Sequence, residues 1–264
     1  MVESSAEFLH RDVPAFGKRT HRLGIAGSYG IDEAGLRQAF DRGITYVYWN
    51  AFAGKLTRVL RDLPPSQRQR LTIATGPTLG FTAGALRRRV ERVLKLLKVD
   101  VLDVFQLMWL GKTSAWTEGT VNELISLKQS GKVRALGVSI HDRPRAAQLA
   151  LDSPLDLLML RYNAAHPGAE REIFPHLEKR RPAVVAYTAT SWRKLLKRPR
   201  GWDGPLYTAG DCYRFCLSSP SVDVVLTGPS SLAQLQENLA AVELGPMTAD
   251  ELETFKRFGK LVHG

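Results

Sequence analysis

The stretch Gly131-Lys132-Val133-Arg134-Ala135-Leu136-Gly137-Val138-Ser139 reads as the end of a helix, a turn, a buried strand and a Ser at the strand's exit. Gly131 suits the position just past a helix, where a left-handed backbone is free of a Cβ penalty. Val133, Leu136 and Val138 supply the strand's apolar content. In an α/β protein the carboxyl end of a strand is where ligands bind, so Ser139 marks a site as well as a fold.

The same pattern repeats outward from this segment. Short apolar, β-branched runs predict strands at 22–26, 45–49, 71–75, 101–108, 133–139, 155–160, 183–188 and 222–227. Helices are expected between them at 32–42, 55–63, 82–97, 117–130, 143–151, 169–179, 207–217 and 231–241. Asp32 reads as an N-cap and Gly43 as the stop of its helix. Leu86, Val90, Val93, Leu94 and Leu97 form a core-facing stripe. Thr248 with Glu251 reads as a capping box opening an extra C-terminal helix within 247–263. Strict alternation over eight units predicts a closed (β/α)8 TIM barrel spanning 1–264 as one domain, with the first twenty residues as an arm or hairpin across its bottom. The glycines of Gly24-Ile25-Ala26-Gly27-Ser28-Tyr29-Gly30 lack the dinucleotide fingerprint spacing, which disfavours an open doubly wound sheet.

At 264 residues and 44% hydrophobic content the chain has ample material for that core. Its 37 Lys plus Arg against 26 Asp plus Glu give a net charge of +11, which favours anionic ligands. Arg87-Arg88-Arg89 with Arg92 is expected on a solvated helix face, and Lys179-Arg180-Arg181 at a helix end. The loop Arg193–Arg200 is the basic segment best placed to hold a phosphate. Basic residues do not interleave with aromatics, so no nucleic-acid binding is expected. The acidic start lacks signal-peptide order, and no apolar run reaches the ~18 residues of a membrane span. A cytoplasmic protein follows as the expectation. Cys212 and Cys216 read as semi-buried thiols rather than metal ligands, and no metal is expected.

Several segments in order along the chain resemble the aldo/keto reductase superfamily. They are Gly43-Ile44-Thr45-Tyr46, Val101-Leu102-Asp103-Val104, Lys132–Ser139, Tyr162-Asn163, Val185-Ala186-Tyr187, Leu226-Thr227-Gly228-Pro229 and Glu237-Asn238. The phrases around Arg161–Glu170 and Asp211–Phe215 are similar to a divergent bacterial branch of that superfamily. The resemblance implies NADP(H) lying across the C-terminal mouth of the barrel and hydride transfer between nicotinamide and a carbonyl or alcohol. It also implies a catalytic Tyr assisted by Lys, His and Asp. Here the four tetrad positions carry Tyr48 (for Asp), Ala53 (for Tyr), Gly76 (for Lys) and Met108 (for His). Ser139 matches a nicotinamide-binding residue, but the Asn after it is Ile140 and the Gln on the sixth strand is Met159. Tyr187 matches the tyrosine that stacks on nicotinamide. The Arg expected for a 2′-phosphate is missing from Pro229–Gln234, which leaves NAD(H) open beside NADP(H).

The residues themselves leave alternatives at each position. Gly228, Pro229, Ser230 and Ser231 form a strand–helix junction suited to a phosphate or to structural capping. Gln234, Glu237 and Asn238 share a helix face that the resemblance assigns to adenine and that otherwise faces water. Tyr187 and Ser139 serve a nicotinamide or local packing. Replacement acid–base groups are sought among Tyr48, His141 and Tyr162, with Lys55 or Lys112 as a cation for Tyr48. Asn50, Asn163 and His166 add polar groups near the mouth. Trp49, Phe52, Met108 and Trp109 make it apolar. The expected activity is that of an oxidoreductase on a small carbonyl or alcohol with atypical acid–base residues. The alternative is a catalytically silent nucleotide-binding or interaction protein. Oligomeric state stays open.

Overall fold

A computed structural model describes residues 5–263. α1 (Ser5–Leu9) leads into an antiparallel hairpin of β1 (His10–Val13) and β2 (Lys18–His21). Eight parallel strands then close into a barrel: β3 (Leu23–Ala26), β4 (Tyr46–Tyr48), β5 (Thr72–Thr75), β6 (Leu102–Leu107), β7 (Val133–Ile140), β8 (Leu157–Arg161), β9 (Ala183–Tyr187) and β10 (Val224–Thr227). Each pairs with its chain neighbour, and β10 closes on β3. The surrounding helices are α2 (Glu33–Asp41), α3 (Gly54–Asp62), α4 (Pro65–Arg70), α5 (Ala83–Leu97), α6 (Glu118–Gln129), α7 (Arg143–Leu151), α8 (Ala169–Glu172), α9 (Ala209–Ser218), α10 (Leu232–Glu243) and α11 (Ala249–His263).

The predicted barrel, hairpin and C-terminal helix are all present. Asp32 caps α2 through the N–H of Gly35, and Thr248 and Glu251 exchange backbone bonds as a capping box. Gly131 follows α6 with φ of +74°. One helix differs from expectation. The segment expected over 169–179 breaks after α8 into a 3-10 turn at Phe174–His176, because Pro175 has no N–H to continue the helical ladder. The short α4, opened by Pro64-Pro65, also lies outside the predicted helices.

The closed end of the barrel is built to be rigid. Phe16, in the turn between β1 and β2, is fully buried against Tyr46 inside the barrel, at 5.4 Å between ring centroids. Three aspartates stitch strand starts to their neighbours. Asp103 accepts the Ile73 N–H, Asp156 the Leu136 N–H and Asp223 the Val184 N–H. Each carboxylate also meets a cation: Lys18, Lys128, and Arg11 with Arg181. Ionised acceptors make such bonds stronger than neutral ones. This end therefore anchors the strands, and the other end is free to carry loops.

His21 sits in that anchor. Burial first, and His10 second, push its pKa down to about 4, and its Nδ1 accepts the Leu23 N–H. An unfolded histidine takes its proton near 6.5. The unfolded chain therefore binds more protons between those values, and stability falls as pH drops from 6.5 to 4. We expect thermal midpoints to be flat from pH 7 to 8 and to decline through that lower window. His21→Asn, whose side-chain oxygen still accepts from Leu23, should decline less steeply; equal slopes for both proteins would rule out His21 as a source.

Candidate functional site

Strand alternation fixes which side chains reach the mouth. Tyr46, Ala74, Val104, Ala135, Leu157, Met159, Val185 and Leu226 pack together inside the barrel. Continuing every second residue toward the carboxyl ends gives Tyr48, Gly76, Met108, Ser139, Arg161, Tyr187 and Gly228. The partly buried Tyr48 and Tyr187 pack on top of the interior cluster.

A polar group gathers on the β7–β9 side. The Tyr187 hydroxyl and His141 Nε2 are 2.8 Å apart. Ser139 Oγ is buried with no partner in hydrogen-bonding geometry, although it lies close enough to favour ionisation of the Tyr187 phenol. Burial dominates at Tyr187 and raises its pKa, against smaller opposite effects of Ser139, Arg161 and Trp109. His141 is lowered, by burial and then by Arg161, so its imidazole is neutral at pH 7. Arg161 faces Tyr187 in the β8–β9 register, and its guanidinium lies 5.9 Å from the Trp192 ring centre.

The β4–β6 side is apolar and closed. The Tyr48 hydroxyl donates to Met108 Sδ at 3.2 Å, and the Gln106 amide donates to the sulfurs of Met108 and Met159. A Cβ on Gly76 would lie 2.2 Å from the Gln106 carbonyl oxygen and 2.9 Å from Met108 Cγ. The position that the resemblance assigns to Lys thus has no room for a side chain. Ala53 is buried in the apolar layer at the end of the β4–α3 loop, just before α3. Burial, and then Tyr29, push the Tyr48 pKa up to about 12, with Arg89 pulling the other way. Lys55, expected to reach Tyr48, instead donates to the Gly30 carbonyl.

Three further expectations change. Tyr162 does not face the mouth: it stacks on Phe215 in the helix layer and donates to Glu170 Oε1 at 2.7 Å. Burial and Glu170 raise its pKa far above the usual phenol, so the sequence-based expectation of an acid–base role at the mouth does not hold for Tyr162. Asn238 is buried, donating to Thr227 Oγ1, because its position on α10 rotates toward the barrel wall. Only Glu237 and Gln234 of that trio are exposed, and Gln234 folds back to accept from the N–H and hydroxyl of Ser230. Arg89 is not on a solvated face but half-buried over Trp49, 5.5 Å from its ring centre. Its place next to Leu86 and Val90 on the apolar stripe was the sequence signal for that.

Ser231 caps α10 through the Gln234 N–H, and Gly228 lies under the Tyr29 ring, 2.5 Å from the nearest ring carbon to a notional Cβ. Asn163 is fully buried, donating to the Thr188 carbonyl and meeting His166 Nδ1 at 3.1 Å. In the 193–200 loop, Arg198 is committed to the carbonyls of Trp202 and Gly204. Tyr29, Phe52, Leu79, Phe81, Trp109 and Trp192, all exposed, lie in βα loops around the mouth. A cavity of about 570 Å³ lies at the opposite end, against the hairpin, where Lys18 and Arg19 already pair with Asp103 and Asp12. Among the described residues no cluster of His, Cys, Asp or Glu suits a metal ion, and no helix is long and apolar enough to cross a membrane.

Comparison with known proteins agrees with this architecture. The family model described as "Aldo/keto reductase family" matches residues 33–198. An uncharacterised oxidoreductase of Bacillus subtilis, YqkF, is 23% identical, covering 85% of this chain and 86% of its own. The fold is similar to that of an aldo-keto reductase from Bacillus halodurans in its holo form. The TM-score is 0.78 at 22% identity, over 94% of this chain and 95% of that one. It is similar too to an aldo-keto reductase from Klebsiella pneumoniae in complex with NADPH. There the TM-score is 0.73 at 19% identity, over 92% of each chain.

The close approach of β5 and β6 at Gly76 can be tested directly. Gly76→Ala forces the Gln106 carbonyl or Met108 to move, and overpacking of this kind costs about 1–3 kcal/mol. Urea unfolding should show that loss with an unchanged slope; a neutral substitution would mean that the strands part freely there.

Proposed function

The chain belongs to the aldo/keto reductase family, and from that premise we propose that it is an NADP(H)-dependent oxidoreductase that reduces a carbonyl group at the barrel mouth, with Tyr187 and His141 holding the proton. The observation that carries this reading is the 2.8 Å contact between the Tyr187 hydroxyl and His141 Nε2, beside the buried, unpartnered Ser139 Oγ.

The residues present fit a nicotinamide. A buried hydroxyl without a partner is costly unless a ligand completes it, and a carboxamide offers both a donor and an acceptor to Ser139. Tyr187 offers a ring face beside it. The α10 junction fits a phosphate less freely, since Gln234 must release the Ser230 N–H first. Exposed Glu237 then faces the adenosine end. NADP(H) is favoured over NAD(H) by the family relatives and by the basic 193–200 loop rather than by a dedicated Arg.

When bound, the cofactor supplies the hydride. This chain's part is the proton. Burial keeps the Tyr187 phenol protonated at neutral pH, and a neutral His141 accepts its bond at Nε2. The pair can therefore release a proton to a developing alkoxide and refill it from solvent through the exposed imidazole. Tyr48 is the weaker donor, because its hydroxyl is turned to a thioether and no cation lowers it below its ordinary value.

A second reading, a silent nucleotide-binding protein, is favoured by Gly76, which leaves no room for a side chain where the family has Lys, and by Ala53, which has no hydroxyl where the family has Tyr. Titrating NADPH and NADH onto the protein, followed by nicotinamide fluorescence, separates the readings. No binding at about 1 mM, a free energy weaker than about −4 kcal/mol, would sink the oxidoreductase. Binding without turnover of aldehydes and ketones would favour the silent protein. With turnover, Tyr187→Phe should keep NADPH affinity, because the ring remains, and lower kcat by about 100-fold or more. His141→Gln should also lower kcat, and Tyr48→Phe should not.

A further inference from the structure

Arg161 has no role in the chemistry above, yet its charge is felt by both Tyr187 and His141. It continues the inward row Leu157, Met159 of β8, it is half-buried, and it faces Tyr187 across the β8–β9 register. Among the described residues it makes no ion pair and no hydrogen bond; its one marked contact is the Trp192 ring. The groups that feel its charge are His141, His166 and Tyr187, and the other charges felt at His166 are those of His263, Arg143 and Lys194. The nearby acids are engaged elsewhere. Glu170 holds Tyr162 and Lys256, and Glu172 holds Arg143. Asp142, next to His141, caps α7 through the Arg145 N–H, and among the described residues no carboxylate pairs with Arg161.

Apolar surface adjoins that charge. Trp192 lies at the Arg161 guanidinium and Trp109 close to Tyr187, and they are 60% and 49% exposed. Both are held in left-handed backbone, with φ of +52° and +43°. Exposed aromatic faces beside an unpaired guanidinium match a ligand that is flat and apolar at one end and anionic at the other. A guanidinium binds a carboxylate through two parallel N–H bonds, a geometry that a lysine does not reproduce.

We propose that Arg161, with Trp192 and Trp109 beside it, forms a subsite for an aryl carboxylate, so that the substrate is an aromatic or similarly bulky carbonyl compound carrying a carboxylate. As a statement about the substrate this rests on the reductase reading; as a statement about binding it stands apart from it. The carboxylate lies against Arg161, and the apolar body lies against the tryptophans.

Binding and turnover test it separately. Phenylacetate and its neutral analogue phenylacetamide are titrated onto the protein, with and without NADP+, following tryptophan fluorescence. Phenylacetate should bind about ten- to hundredfold more tightly than the amide, and Arg161→Gln should abolish that preference. Arg161→Lys should recover part of it, and Trp192→Ala should weaken both ligands. Equal binding of acid and amide to the unaltered protein overturns the proposal. So does Arg161→Gln if it weakens NADPH while sparing phenylacetate, because the anion would then be the cofactor's phosphate. The catalytic arm compares kcat/KM for benzoylformate and benzaldehyde: Arg161→Gln should lower their ratio about tenfold or more. Arg161-dependent phenylacetate binding without any NADPH binding would defeat the reductase reading and leave the subsite standing. NADPH turnover of benzaldehyde with no preference for the acid would do the reverse. Unchanged thermal midpoints of the variants show that the fold is intact.

Discussion

The two-residue period of strands closed into a ring governs everything above the barrel floor. In an open sheet the same alternation distributes side chains over two faces; in a closed one it sends half of them into a shared interior. The interior has finite width, so what fills it low down determines what can project at the top. Phe16 and Tyr46 fill the bottom, and Gly24 is needed beside them because a Cβ there would lie 2.9 Å from Tyr46. Met159 and Gln106 fill the middle, joined by an amide–sulfur contact. The top of each inward row then becomes the lining of the mouth.

That lining is asymmetric. On the β4–β6 side, Tyr48, Gly76 and Met108 sit at positions that the resemblance gives to charged or titrating groups. They have become a packed apolar contact, with a phenol donating to a thioether. Restoring a lysine there is not a single substitution, because β5 and β6 approach too closely for any side chain at Gly76. On the β7–β9 side, Ser139, Arg161, Tyr187 and His141 retain polarity and charge.

The sequence disclosed the scaffold well because its signals are local. Gly131, Asp32 and the Thr248–Glu251 box each act within a turn, and strand periodicity acts within five residues. The site was less legible because its geometry is set by facing elements. Nothing in the run Arg161-Tyr162-Asn163 says which member faces in; the barrel puts Arg161 inward and Tyr162 out against Phe215. Asn238 looked solvent-facing on spacing alone, but the wall behind α10 buries it. Arg89 looked like one of several surface charges, and only its proximity to Leu86 and Val90 distinguished it. Parity counted from Met159 turns Arg161 inward only because β8 runs to Arg161, one residue past the expected strand end at 160.

The loop after β9 gives the polar side of the mouth its shape at a local cost. Thr188, Ser191, Trp192 and Arg193 all have φ between +49° and +69°. Each non-glycine residue in that region costs about 1–2 kcal/mol relative to ordinary backbone. Gly201 in the same loop takes φ of +79°, so the chain uses glycine where only a turn is required. At Trp192 a glycine would relieve the strain but remove the ring above Arg161. At Thr188 the carbonyl anchors Asn163, which in turn meets His166. Strain of this kind persists where the surroundings over-determine the conformation, and it concentrates at ligand sites. It ties the loop to the β8 end, and it keeps an aromatic face at Arg161, which has no ion pair among the described residues.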